Sequence, residues 1–234
     1  MSPEVSCQLP DGRRVAIATE AADRLSCGIL VMDEVRVAEN PAVGAATNEL
    51  GATLAAQYHG LLPSEIPGLG EARTLYKSFG MDPSRHRPSS EALLRRMLKG
   101  KDLYQISNVV DSCNLASLEF LLPVGMYDLD RVGGDVILRT GVEGEQYPGI
   151  RKGDVHLDGR LGLFDDSGPF GSPTSDSART CTTVETRTIL AVIMATAAYD
   201  SRRMEDHLSV FSGRFQTFCE ARETFRNILQ GGLS

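Results

Sequence analysis

The feature that most constrains the fold is a change of character at Pro123 and Gly125. Before it, EARTLYKSFG and VVDSCNLASLEFLL read as helices, and in SSEALLRRMLKG the residues Leu93, Leu94, Met97 and Leu98 recur at helical spacing. There Ser89 or Ser90 is expected to cap the free amides and Gly100 to close the far end. After it, DVILRT, DVHLD, RLGLF and TRTILAVIMA are short apolar stretches parted by glycine-rich turns, the pattern of strands. Nearer the amino terminus RRVAIA and CGILVMDEVRV predict two more strands, GAATNELGATLAAQYHG a helix, and GLLPSEIPGLG a connector. Met204, Leu208, Phe211, Phe215, Phe218, Phe225 and Leu229 predict one amphipathic C-terminal helix over residues 200–230. No linker or repeat divides the 234 residues, so the expectation is one α+β domain, helices packed around a central β structure.

Hydrophobic residues at 41% and charged residues at 24% exclude a disordered chain. The longest apolar stretch, residues 189–199, falls short of the roughly 20 that a membrane-spanning helix needs. MSPEVSCQLPDG lacks the basic start and apolar centre of a secretory leader, so a cytoplasmic protein without a membrane partner is expected. Five widely spaced cysteines without a C-x-x-C pair, and four isolated histidines, predict neither a metal site nor a disulfide framework. No cofactor motif is present.

Charge is unevenly spread. The formal net charge is −7, yet residues 73–101 hold eight bases against two acids, a local excess of +6. An acidic body with one basic patch suits a polyanion docked in a single orientation, with Arg87, Arg95, Arg96, Lys99 and Lys101 as the contacts. A solvated helix face, with Lys99 serving the helix dipole, accounts for the same residues.

The stretch GPFGSPTSDSARTC, residues 168–181, crowds hydroxyls, an acid, a base and a thiol between glycines and prolines. A serine nucleophile needs a base beside it, and neither G-x-S-x-G nor a histidine motif is present. A phosphate cradle of the P-loop kind needs a lysine after its glycines, and none follows. By residue type a turn whose hydroxyls satisfy its own backbone is favoured.

ISNVVDSCNLASLEFLLPVGMYDLDRV, residues 106–132, alters that balance. It resembles the tRNA-editing B3/B4 domain of the phenylalanyl-tRNA synthetase β subunit, whose pattern runs I-N-N-V-V-D-x-x-N, then L-E, then P, then F-D-L-D-R. Asn108, Val109, Val110, Asp111, Asn114, Leu118, Glu119, Pro123, Asp128, Leu129 and Asp130 keep that order. The likeness is strongest over residues 73–199, leaves residues 1–70 as an N-terminal extension, and resembles stand-alone proteins of this domain; nothing resembles the synthetase's ATP-binding core. It implies a β-sandwich or barrel-like sheet with packed helices, and a pocket that hydrolyses an amino acid wrongly esterified to tRNA. Such a second site rejects by hydrolysis what a synthetic pocket cannot exclude.

Residue by residue, the family's threonine-asparagine pair falls on Cys113 and Asn114, and its pocket proline on Pro123. Its editing histidine falls on Gly125 and its glutamate on Val192, so the polar groups must come from elsewhere. With residues 168–181 as the supplier, the expectation is a pocket in which Asn114, Cys113, Pro123, Phe170, Gly171, Ser172 and Thr174 bind the ligand and Gly125 leaves room for it. Asp176, Ser175 and Glu145 are the catalytic candidates, with Asp176 or Glu145 orienting water. The expected function is an aminoacyl-tRNA deacylase acting in trans on the aminoacylated 3′ end of tRNA, with no DNA partner. The alternatives are a non-catalytic RNA-binding module and an amino-acid-binding protein.

Overall fold

The computed structural model describes residues 5–62, 65–66, 68–150 and 153–231. Residues 1–4, 63–64 and 67, which fall in the amino-terminal stretch and the connector read above, lie outside them. Strands β1 (Val5–Gln8), β2 (Arg14–Ile17) and β3 (Ser26–Asp33) lead into α1 (Pro41–Gln57), α2 (Leu69–Ser78), α3 (Ser89–Leu98) and α4 (Asn108–Phe120). There follow β4 (Val124–Asp128), β5 (Val136–Thr140), β6 (Gln146–Pro148), β7 (Asp154–His156), β8 (Leu161–Asp165), β9 (Gly168–Ser172), β10 (Ser175–Asp176) and β11 (Ile189–Ala195). The chain ends with α5 (Ser201–Cys219) and β12 (Arg222–Gln230).

The strands form two main sheets, ordered β1-β2-β5-β8-β9-β10 and β12-β3-β11-β4, with β6-β7 as a separate pair. Only β2 and β5 pair in parallel among them. One core fills the space between the sheets: Val15, Val136, Leu163 and Phe170 from one side meet Ile29, Tyr127, Leu190 and Val192 from the other. A second core lies on the far face of the four-stranded sheet, where Leu30, Met32, Ala191 and Ile193 meet Val109 and Phe120 of α4 and Leu208 and Phe215 of α5. Strands β3 and β11 are therefore covered on both faces. That is why GILVM and ILAVIMA read as unbroken apolar runs rather than alternating ones. A third cluster joins Leu54 of α1, Leu94 and Met97 of α3 and Leu118 of α4. The α+β expectation holds, with the sheets stacked as a sandwich, α4 and α5 on the far face of the four-stranded sheet, and Leu75 and Tyr76 of α2 reaching the core between the sheets.

Two local expectations are corrected. The C-terminal helix stops at Cys219, where Glu220 turns left-handed (φ 54°), and residues 222–230 pair with β3 instead. Phe225 and Leu229 are four apart, a spacing that satisfies the helical period and the two-residue period of a strand alike. On α3 neither serine caps the helix: Ser90 Oγ is buried and donates to the Leu121 carbonyl at 3.0 Å, tying α3 to the end of α4. Gly100 does close α3, in the left-handed region at φ 66°, with its amide on the Met97 carbonyl at 2.8 Å.

Asn108 and Asp128, both in the resembling segment, are structural. Asn108 Nδ2 donates to the Arg36 and Phe218 carbonyls at 2.7 and 2.9 Å, and its Oδ1 accepts from the Ala38 amide at 2.8 Å. Asp128 accepts from the Thr186 hydroxyl at 2.7 Å and from the Asp130 amide at 3.1 Å, closing the 3-10 turn Leu129–Arg131.

Candidate functional site

Helix α4 has two working faces. Val109, Ala116 and Phe120 point into the core against α5, while Val110, Cys113, Asn114 and Ser117 line the other side at helical spacing. Ser107 caps its first turn by accepting from the Val110 amide at 3.4 Å, and Leu121, left-handed at φ 59°, ends it and turns the chain into β4. Opposite α4 stands GPFGSPTSDSARTC, which is a β-hairpin rather than an open loop: Ser172 faces Ser175 and Gly171 faces Asp176, with Pro173 and Thr174 at the tip. Between them lies a cavity of about 420 Å³, within the ordinary range of small-molecule sites.

The hairpin is held from both sides. Tyr76 of α2 donates to the Pro173 carbonyl at 2.5 Å. Tyr147 of β6 bonds Ser172 Oγ at 2.8 Å and donates to the Ser175 carbonyl. Ser172 and Thr174 hydroxyls are joined at 2.9 Å. Just past the hairpin, the Arg179 guanidinium grips both oxygens of Asp165 at 2.8 Å each, so the base of this stretch serves the fold.

Cys113, Asn114, Ser172, Thr174, Ser175 and Asp176 come together around the cavity. The remaining candidates are elsewhere. Glu145 is clamped by Arg139 through both oxygens, at 2.8 and 2.6 Å, and does not line the cavity. That ion pair also holds its carboxyl below the usual range. Pro123 is a buried link between α4 and β4 whose carbonyl accepts from the Met194 amide at 3.0 Å. Phe170 sits in the inter-sheet core, edge-on to Tyr127 at 4.9 Å. Gly125 and Gly171 leave room for Tyr127 rather than for a ligand: a Cβ at either position would collide with the Tyr127 hydroxyl. Val192 is wholly buried and pairs with Gly125 in the sheet.

Tyr127 is the group that residue reasoning missed, together with the apolar wall of Val110, Val124 and Met126. The helical spacing of 110, 113, 114 and 117 carried that wall, whereas nothing local marked the tyrosine. Its hydroxyl is fully buried and makes no hydrogen bond of good distance and angle among the described residues, yet it lies near enough to Asp176 to interact with it. Burial pushes the Asp176 carboxyl up to about 7, and the pull of Tyr127 and of the Met126 amide in the other direction does not offset it. Burial likewise pushes the Cys113 thiol and the Tyr127 and Tyr147 phenols up, so all three stay protonated at neutral pH. Among the described residues the cavity lining includes no cation.

The basic patch is largely consumed internally. Glu91, with no side-chain exposure, accepts from Arg73 at 2.8 Å and Arg95 at 2.8 Å, and Arg87 stands 3.8 Å away. Arg96 donates to the Asp102 carbonyl at 2.6 Å and lies over the Tyr104 ring. Lys99 and Lys101 are exposed.

Residues 71–222 match the B3/4 domain, a span that contains every residue lining the cavity. The chain belongs to the B3/4 domain family. It is also similar to the crystal structure of an N-terminal fragment of the phenylalanyl-tRNA synthetase β subunit from Pyrococcus horikoshii, at 11% identity and a TM-score of 0.47. That likeness covers 91% of this chain and 52% of the other, so the chain spans about half the length of the fragment it resembles. No curated protein matches. No helix among the described residues is long and apolar enough to cross a membrane, and none of their acidic, histidine and cysteine groups could hold a metal ion.

In this B3/4 domain position 125 has no room for a side chain. Gly125→Ala is expected to destabilise the fold by about 1–3 kcal/mol, the usual range for forcing an extra carbon into a packed site. Urea unfolding checks it. Adding Tyr127→Phe to Gly125→Ala should recover part of the loss, because the hydroxyl is the closest colliding atom, while ring carbons at 2.8 and 2.9 Å stay in place.

Proposed function

We propose that the protein is an aminoacyl-tRNA deacylase acting in trans, and that Asp176 orients and deprotonates the hydrolytic water. The observation that carries this is a carboxylate with its pKa near 7, facing hydroxyl and amide groups across a cavity of ligand size. A general base works best when its pKa lies near the working pH. Water oxygen adds to the ester carbonyl carbon as its proton passes to Asp176. The carbonyl oxygen becomes an oxyanion within reach of donors such as the Asn114 amide and the Thr174 hydroxyl. The carbon–oxygen ester bond then breaks, and the proton returns from Asp176 to the ribose oxygen that leaves. An aminoacyl ester is already activated, so positioning supplies much of the rest. The apolar wall of Val110, Val124 and Met126 suits the side chain of the amino acid.

The test is a deacylation screen of the purified protein against a panel of mischarged tRNAs, with hydrolysis of at least one expected. The second reading, a module that binds RNA without cutting it, is favoured by Gly125 and Val192 at the family's histidine and glutamate positions. Uniform inactivity across the panel, with tRNA affinity retained, would establish that reading instead.

For the RNA backbone, Lys99 and Lys101 are the available cations. The double change Lys99→Glu, Lys101→Glu is expected to weaken tRNA binding about tenfold at low salt. It should also flatten the slope of log K against log salt by roughly one to two. Filter binding at several salt concentrations checks this.

A further inference from the structure

A second cavity, of about 210 Å³, opens between α1, α4 and residues 102–105. Its α1 wall of Gly44, Thr47 and Asn48 lies outside the residues that match the B3/4 domain, so the N-terminal segment builds it. Asn114 lines this cavity and the first one alike, and stands at their junction.

We propose that this second cavity receives the unpaired terminal nucleoside of an aminoacylated RNA, with its base on the Tyr104 ring, so that one ligand spans both cavities across Asn114. The proposal rests on the deacylase reading for the identity of the ligand, but its physical grounds are separate. Tyr104 is 74% exposed, and the Arg96 guanidinium covers one face of its ring at 4.2 Å. A tyrosine backed by a guanidinium and bare on its other face is a stacking platform, and such stacking is how proteins hold unpaired bases. The side-chain amides of Asn48, Gln105 and Asn114 make no hydrogen bond to any described residue. Each amide carries both donors and an acceptor, the complement of a base edge. Two carboxylates, Asp102 and Asp111, also line the cavity. Asp111 accepts only the Ile106 amide, at 3.1 and 3.2 Å, so it keeps lone pairs for ribose hydroxyls. The same acids repel phosphate. A terminal nucleoside fits this cavity, while the preceding phosphates would fall to Lys99 and Lys101, next to Asp102 along the chain.

The chain has no tryptophan, so Tyr104→Trp installs a single fluorescent reporter on the platform. The probes are the trinucleotide CCA and the same trinucleotide with an abasic 3′ residue. CCA is expected to quench the emission saturably, and the abasic probe to leave it unchanged. In parallel, calorimetric titration of the otherwise unaltered chain should show CCA binding at least tenfold more tightly than the abasic probe. Asn48→Ala should remove about tenfold of that preference. Equal affinity for the two probes in the unaltered chain, or a base preference untouched by Asn48→Ala, overturns the proposal. Base-dependent quenching without deacylation of any tRNA supports the nucleoside site while removing the deacylase reading. Deacylation with no base dependence in either chain does the reverse.

Discussion

Asp176→Asn is expected, on the proposed deacylase reading, to lower deacylation by about two to four orders of magnitude, the usual contribution of a positioned general base, and in the same molecule to raise the melting temperature above pH 7. The two effects have one cause. Burial raises the Asp176 carboxyl to about 7, well above its value in an unfolded chain, so the fold favours the protonated form. Between about pH 4 and pH 7 the folded protein holds a proton that the unfolded chain has released, and stability falls as pH rises through that window. Above about pH 7 the ionised carboxylate is a standing cost, which the neutral amide removes. A rise of a few degrees is expected at pH 8 and no rise near pH 4. In the unaltered protein kcat/KM should climb with pH to a midpoint near 7 and then level off. The groups near Asp176 are Tyr127, Tyr147 and Cys113, all held protonated over that range, so they contribute no further step. Scanning calorimetry and a pH–rate profile check the pair of effects. A change that merely damaged the fold would lower both activity and melting temperature.

Glu91→Ala is expected to cost about 3–5 kcal/mol, the usual effect of removing one partner of a buried ion pair. Burial raises the Glu91 carboxyl, and Arg73 and Arg95 outweigh that and hold it below the ordinary glutamate range. Its contribution is therefore present above about pH 4.5 and is lost as pH falls through the lowered value. Truncation leaves the Arg73 and Arg95 guanidiniums without their shared counter-charge. Guanidinium unfolding at pH 7 measures the loss. Glu91→Gln should retain part of the stability, because an amide oxygen still accepts from Arg73. Arg95→Glu would set two carboxylates against each other, so it reports on folding rather than on RNA contact, and the lysines at 99 and 101 are the informative positions.

Much of the fold was legible wherever one period dominates. The helices at 69–78, 89–98 and 108–120 carry apolar stripes at steps of three and four, and β3 and β11 announce themselves as buried runs. Legibility failed where two periods coincide, as at Phe225 and Leu229, or where glycine and serine form a strand, as in β9 and β10. Their order comes from Tyr76 and Tyr147, which lie 97 and 25 residues from their partners. The cavity was half visible. Cys113, Asn114 and the hairpin hydroxyls followed from the likeness of residues 106–132 together with residue chemistry. Glu145 was misplaced because a carboxylate in a turn looks the same in sequence whether or not an arginine clamps it. The basic patch misled similarly, since net charge along the chain says nothing of a buried glutamate at its centre.

Tyr127 belongs to β4 of one sheet, and the glycines that accommodate its ring are Gly125 on the same strand and Gly171 on β9 of the other. The three positions consequently form one steric unit. A side chain at 125 would require a smaller residue at 127, which would loosen the spacer between the sheets and strip Asp176 of its phenolic neighbour. Room for a side chain at 125 and the phenolic neighbour of Asp176 therefore exclude one another, and neither can be had without giving up the other.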